Sequence, residues 1–401
     1  MELVQTMKVR ILFQNQEDVE KMKRTMLAYR DGCNLVSQYI FDHYFPLNRY
    51  KLQELLYGVL RKQCSLKSMM AITCIKATIA KYKTLQTTLQ KQKEPFSKES
   101  KSLEYLWYPI QFKRPQLDLV RNRDYSLKTK GKYAGMLSLN TLEGRVYVKP
   151  IYQGFNAYLD GTWKLGEAKV IHKQNHWFLH IACSKEVPDV ELSETKTLVG
   201  IDRGIRKLVT CYDSAGNTTF VNGTSVSQKR EHYKQLRASL QSKNTKSSKR
   251  RLRAIGNREN RWMCDVNHCI SKTLVNQYGA NTLFVLEDLE DVRTATVKVA
   301  KSRRYEQVSW AYYDLEKKLT YKAHATGSEV IKVDPHYTSQ RCPKCGRIHK
   351  PNRNHDLHQY TCDECHYSSN DDRIGAMNLL QLGEKYLTGE KHPKFRKEKT
   401  V

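Results

Sequence analysis

Residues 333–380 read VDPHYTSQRCPKCGRIHKPNRNHDLHQYTCDECHYSSNDDRIGAMNLL, and the rest of the chain is arranged around them. Two Cys-x-x-Cys pairs, Cys342/Cys345 and Cys362/Cys365, stand at the separation of a four-thiolate structural zinc site. Each knuckle turns tightly enough to aim two sulfurs at one tetrahedral metal, and Gly346 suits the first turn. Four unrelated core cysteines would have no reason to keep that double spacing. Past the fourth cysteine, Asp372 opens the run Asp-x-x-Gly-Ala-x-Asn, which reads as a helix start. Free amides and the helix dipole favour a carboxylate there. Alone, Asp372 is a capping residue; its meaning rests on whether other carboxylates come to meet it.

Two do. Residues 198–202 (LVGID) form an apolar strand that ends in Asp202, and residues 282–289 (TLFVLEDL) form another that ends in Glu287 and Asp288. Between them lie a strand at 207–212, a turn at 213–217, a strand at 218–221 and a mostly helical stretch at 226–278. A basic loop (292–304), a helix (310–324) and a strand (329–333) lead into the zinc segment. Strand, hairpin, helix, strand, helix is the order of an RNase H-like α/β sheet, in which the first and fourth strands lie side by side. Asp202, Glu287 and Asp372 can then converge on one spot. Three packed acids repel one another unless cations sit among them. Two Mg²⁺ ions would take those hard oxygens as ligands and drive phosphodiester hydrolysis.

Earlier in the chain the pattern differs. Val9, Ile11 and Phe13 alternate with polar residues as a strand, and helical periods follow at 17–40, 51–62 and 66–89. Residues 91–102 read as a linker. Short strands are expected at 106–108, 110–112, 125–127, 136–139, 145–148, 168–171 and around 177–181, with tight turns at 140–144 and 174–175. This suggests a small β-barrel that takes the N-terminal strand as a partner, so that the helical bundle is an insertion. The aromatics there are core residues or base-stacking platforms.

The formal net charge of +28 over 401 residues is spread along the chain and points to nucleic acid as the partner. It is densest at 229–261, where twelve Lys and Arg face only Glu231 and Glu259. Such a run is usually a solvated face, but with so few acidic partners it reads better as a phosphate-contacting helix pair. Lys249, Arg250, Arg251, Arg253, Arg258 and Arg261 are the candidate contacts there, with Arg303 and Arg304 in the later basic loop. The sequence has no apolar run of 18 residues and its first residues lack a signal-peptide core, so a soluble cytoplasmic protein without membrane contact is expected. The seven other cysteines are scattered, as reduced thiols would be.

Gly200-Ile201-Asp202-Arg203-Gly204, Leu286-Glu287-Asp288-Leu289, Tyr321-Lys322-Ala323, Tyr337-Thr338-Ser339-Gln340 with its cysteine pair, and Asp372-x-x-Gly375-Ala376-x-Asn378 together resemble the RuvC motifs and zinc finger of the TnpB family. These are transposon-encoded, RNA-guided DNA nucleases, from which the compact type V CRISPR effectors descend. The resemblance implies a multidomain α+β chain. A wedge-like barrel would span 1–15 and 106–190, and a helical recognition domain with its linker 16–105. A RuvC-like nuclease domain would span 191–381 with a zinc-finger insert at 335–370, and a flexible basic tail would close the chain at 382–401. It also implies catalysis by Asp202, Glu287 and Asp372 with two Mg²⁺, one structural Zn²⁺ on the four cysteines, a guide RNA and double-stranded target DNA as partners, and, for the smallest relatives, a homodimer on one guide. Asp371 is a departure, since many members carry a small residue there; the spacing to Gly375-Ala376 selects Asp372. The loop between the cysteine pairs also carries His349, His355 and His358 as alternative zinc ligands. A guided DNA-binding repressor and an unguided structure-specific nuclease are the competing functions.

Overall fold

The computed structural model describes residues 1–90, 102–289, 312–354 and 356–397. Arg303, Arg304, His355, the basic loop at 292–304 and nearly all of the linker lie outside the described residues. The chain divides into two units, residues 2–186 and residue 1 with 187–401.

In the first unit a long strand β1 (Glu2–Phe13) leads into three helices, α1 (Gln16–Asp42), α2 (Arg49–Gln63) and α3 (Ser68–Gln90). Asn15 caps α1 by accepting from the Asp18 amide at 2.8 Å, and Asn48 caps α2 in the same way. The chain returns through β2 (Leu117–Leu119), β3 (Tyr125–Leu127), β4 (Leu137–Thr141), β5 (Gly144–Ile151), β6 (Lys164–Lys173) and β7 (His176–Glu186). The seven strands run in the order β2-β6-β7-β1-β5-β4-β3, so β1 sits at the centre and the helices are inserted between it and β2. The sheet curls toward a barrel, since the Tyr125 hydroxyl on the β3 edge donates to the Gly166 carbonyl on β6 at 2.5 Å. Gln174 and Asn175 both have positive φ, which the two-residue turn from β6 to β7 requires.

The strands expected at 106–108 and 110–112 do not form. Pro109 interrupts them, and side chains satisfy the backbone that a neighbouring strand would have paired. Asn34 accepts from the Phe112 amide at 2.7 Å, the Tyr82 hydroxyl accepts from the Ile110 amide at 3.2 Å, and Ser37 donates to the Ile110 carbonyl at 2.6 Å. Tyr108, one of the aromatics expected in the core or against bases, is 76 % exposed, and its neighbour Trp107 is 85 % exposed.

The second unit begins with β8 (Thr197–Asp202), β9 (Lys207–Asp213) and β10 (Thr218–Asn222), followed by α4 (Thr224–Lys243), α5 (Lys246–Ile255) and α6 (Arg258–Tyr278). Next come β11 (Thr282–Glu287), α7 (Tyr312–Ala325) and β12 (Glu329–Val333). A small three-stranded sheet, β13 (Arg353–Asn354), β14 (Gln359–Thr361) and β15 (Ser368–Asn370), precedes α8 (Asp371–Leu387). The main sheet has the order β10-β9-β8-β11-β12, antiparallel from β10 to β8 and parallel from β8 to β12. The central strands β8 and β11 are nearly continuous apolar runs because both faces are covered. Met263, Leu274, Leu315 and Leu319 of α6 and α7 cover one face, and Leu379 and Leu382 of α8 the other.

The chain after residue 381 is not simply a loose tail: α8 continues to Leu387, and Phe395 returns to a buried position with the Arg341 guanidinium 4.4 Å from its ring centre. An aromatic residue in a basic segment has this apolar face to gain.

The α8 helix lies unusually close to the sheet. A Cβ at Gly200 would stand 2.1 Å from the Ala376 carbonyl oxygen, and one at Gly383 would stand 2.6 Å from Val285. Gly200→Ala therefore forces the helix off β8. The expected loss is about 2–3 kcal/mol, or roughly 4–12 °C in Tm for a unit of this size. A shift under about 1 °C by calorimetry would show that α8 is not seated this way.

Candidate metal centre and acidic site

The two knuckles bring four sulfurs together. Cys342 and Cys365 Sγ are 3.5 Å apart, Cys345 and Cys362 Sγ are 3.6 Å apart, and all four lie within 4.8 Å of one another. A tetrahedral zinc with bonds of ~2.3 Å needs sulfurs about 3.8 Å apart, so the set fits one zinc ion. Gly346 and His366 take the left-handed conformation at matching places in the two knuckles, each donating its amide to the first cysteine carbonyl. The Tyr367 amide lowers the Cys365 thiol to about 7, while burial raises Cys342 and pushes Cys345 up to about 12, so that without a metal the four sulfurs do not all ionise together. His349 is drawn to Asp363 at 2.9 Å and His358 to Asp371 at 3.4 Å, and neither belongs to the sulfur cluster.

Asp202 and Glu287 stand together at the carboxyl end of the main sheet, and the charge of Asp372 reaches Asp202 from α8, although among the described residues these three carboxylates do not close to within 4.8 Å of one another. Leu286 pairs with Ile201 in the parallel β8–β11 ladder, so Asp202 and Glu287 emerge side by side at the carboxyl ends of adjacent strands. Helix α8 starts over that edge. Its Gly375 leaves room for Asp202, whose Oδ2 would be 3.1 Å from a Cβ there. Burial, then the charges of Glu287 and Asp372, push the Asp202 carboxyl well above the usual carboxylate range. Burial also raises Glu287 and Asp372. Burial is the main cause at all three, and at Asp202 the neighbouring acids add to it, a setting in which a bound cation would favour the charged forms.

The surrounding groups hold these acids in place. Thr338, from the segment before the first knuckle, donates to Glu287 Oε1 at 2.6 Å, and the buried Arg203 guanidinium donates to the Glu287 backbone oxygen at 2.5 Å. Asn378 donates to the carbonyls of Thr338 and Arg341, both at 2.8 Å, and so ties that segment to α8. Asp371 is buried, accepting from Arg353 Nε at 2.9 Å, whereas Asp372 is the acid whose charge acts on Asp202. Lys322 of the Tyr-Lys-Ala motif instead binds Ser271 Oγ at 2.7 Å and locks α7 to α6.

Arg353 escaped sequence reasoning. It lies on β13, between the cysteine pairs, and its charge lowers Asp202, Glu287 and Asp372 alike. In the sequence it looks like Arg347 or Lys350, one more basic loop residue. The arrangement also groups His358, Asp371 and Asp372 within ligand distance of one another, next to the same cation.

The six candidate contacts at 249–261 are all exposed, and none is in an ion pair among the described residues. No described helix is long and apolar enough to cross a membrane.

Comparison with known proteins agrees with this picture. Residues 180–297 match the family model described as probable transposase, and residues 312–379 match the Cas12f1-like TNB domain. The CRISPR-associated endodeoxyribonuclease Cas12f1 of Sulfoacidibacillus thermotolerans is 28% identical over 66% of this chain and 67% of its own length. The putative RNA-guided DNA endonuclease InsQ of Escherichia coli K12 is 26% identical over 64% of this chain and 66% of its own. A solved Cas12f1–sgRNA–target DNA complex shares the fold, with a TM-score of 0.52 and 13% identity across 94% of this chain and 99% of that one. The resemblance read from the motifs thus holds: the chain is similar to the TnpB-like proteins and to the compact CRISPR-associated Cas12f1 endodeoxyribonucleases.

Proposed function

We propose that this chain is an RNA-guided DNA endonuclease. Its second unit would be a RuvC-like nuclease domain, and its first a wedge-like barrel carrying a helical recognition bundle. What supports this reading is that Asp202 and Glu287 end adjacent parallel strands while the charge of Asp372, on the first turn of α8, acts on Asp202, and that all three carboxyls are raised. Hard oxygen donors short of positive charge suit Mg²⁺, and Asp202, Glu287 and Asp372 would hold two such ions. When bound, the ions would polarise the scissile phosphodiester and the attacking water and offset charge on the leaving oxygen. Thr338 orients Glu287, Arg203 fixes the end of its strand, and Arg353 offsets the acids' mutual repulsion. The four cysteines would hold a zinc ion, which would tie down the hairpin that carries Arg353.

Guide pairing would supply sequence specificity, while exposed cations such as those at 249–261 track phosphates irrespective of sequence. The test is to purify the chain with its own nucleic acid and sequence the RNA. Target duplexes matching that RNA are then offered with Mg²⁺, before and after ribonuclease treatment. Matched duplex should be cut, with activity falling to background once the RNA is digested. Cutting that survives digestion would favour an unguided nuclease, and RNA-dependent binding without cutting a repressor.

A further inference from the structure

Helices α4 and α5 do not zip together as a helical hairpin normally does. Their facing stripes have helical spacing: Lys229, Tyr233 and Leu236 on α4 oppose Arg251 and Ile255 on α5 and Arg258 where α6 begins. In an ordinary pair these i, i+4, i+7 positions would be apolar and interlocked. Here, with His232 and Ala254, they line a cleft of about 550 Å³ in which Tyr233, Leu236 and Ile255 stand among cationic side chains. The only acids of the run 229–261 are committed elsewhere, Glu231 to Lys234 at 3.0 Å, and Glu259 to Arg237 and to Arg230 at 3.7 Å. Arg251 and Arg258 are exposed and have no ion-pair partner among the described residues.

We propose that this cleft is a nucleotide-binding site, which takes one unstacked base against Tyr233, Leu236 and Ile255 and the flanking phosphates on Arg251 and Arg258. A cleft of that size, in which apolar and aromatic side chains alternate with cations, is suited to a single small planar anionic ligand. A plain phosphate-tracking surface would need neither Leu236 and Ile255 nor the tyrosine. Base–aromatic stacking with phosphate contacts is how extruded single-stranded nucleotides are held. Unpaired RNA and unpaired DNA share this chemistry. The inference does not need the acidic site to be catalytic, and cleavage is not its readout.

The full chain, freed of nucleic acid in high salt, is given 12-nucleotide oligouridylate carrying one 4-thiouridine, the matching thymidylate carrying one 4-thiothymidine, or an abasic 12-mer of equal charge. Irradiation should crosslink a thio-base to the peptide containing Tyr233. Tyr233→Ala should lose that crosslink and weaken the based oligomers about tenfold, with the abasic oligomer unchanged and Tyr233→Phe restoring binding. Arg251→Ala should weaken all three probes and flatten the salt dependence by about 0.7 per phosphate lost. A crosslink with RNA alone assigns the site to RNA, with thymidylate alone to DNA, and with both to either strand. Circular dichroism checks that the variants fold. The proposal is overturned if the crosslinks fall only outside the cleft, or if a folded Tyr233→Ala chain binds the based and abasic oligomers in the parent's ratio.

Discussion

Asp202→Asn should abolish cutting and at the same time make the metal-free protein harder to melt. The amide keeps the size of the side chain, so Gly375 and the start of α8 stay where they are. What disappears is one of three mutually repelling charges at the sheet edge. Cations held by the acids are worth several kcal/mol of transition-state stabilisation, so cleavage should fall by about a thousandfold or more. Stability moves the other way, and its sign follows from linkage. Asp202 titrates higher in the folded protein than in the unfolded chain, so the native state binds the extra proton. That contribution is fully present below the ordinary aspartate value and is lost as pH rises through the raised one. Relative to wild type, the variant should show no advantage in Tm at the acid end and a growing advantage toward neutral pH, at least about 2 °C. Titration with Mn²⁺ supplies a reading apart from activity: wild type should gain Tm from the ion and release protons, and the variant should do neither. An Asn variant that cleaves normally, or one less stable than wild type in EDTA at pH 7.5, would remove Asp202 from the acid cluster.

Much of this site could be read in the sequence, because apolar strands that end in acids are a local signal. The order of the strands then places Asp202 beside Glu287, since a parallel pair aligns its carboxyl ends. The cysteine spacing was equally plain, being fixed by the geometry of one metal. The boundaries of the first unit were less so. Residues 106–112 carry a strand-like composition, yet the partner of their backbone is a set of side chains on α1 and α3, and nothing local in the sequence reveals that pairing. Leu117–Leu119, three residues with a central aspartate, is too short for any alternation to register. Arg353 was hidden for a related reason. Its role comes from a hairpin folding back onto α8, a contact set by tertiary packing and not by any periodicity in its own neighbourhood. Gly200, Gly375 and Gly383 stand between the two cases: the sequence displays them, but only the helix lying on the sheet explains why a side chain at Gly200 would meet backbone and one at Gly375 or Gly383 would crowd Asp202 or Val285.

Removing a zinc ligand should disable the acidic site although no acid is touched. The segment around the knuckles has strands of only two or three residues, and its buried cluster is Cys342, Tyr360, Cys362 and Ile374, two of which are themselves candidate zinc ligands. So small a module has no other core to fall back on. Structural zinc contributes about 10–16 kcal/mol in comparable small folds, so Cys362→Ser should unfold the hairpin while the five-stranded sheet, with its own apolar core, persists. Three supports of the acids then go together. Glu287 loses the Thr338 hydroxyl, Asp371 loses Arg353 and His358, and Asp202, Glu287 and Asp372 lose the Arg353 charge, which lowers all three. Their repulsion grows and their oxygens are no longer held in register. Loss of such outer supports typically lowers metal affinity or activity about 10–100-fold each, so cleavage should fall at least a hundredfold, and Mn²⁺ binding followed by paramagnetic resonance should weaken with it. Arg353→Ala should reproduce part of the loss with the zinc content intact, and Arg353→Lys should recover some of it, because charge returns without the planar fork that binds Asp371. If a Cys362→Ser chain without zinc still bound Mn²⁺ and cut as the parent does, the zinc hairpin would have no part in setting the acids, and the coupling argued from Thr338 and Arg353 would be wrong.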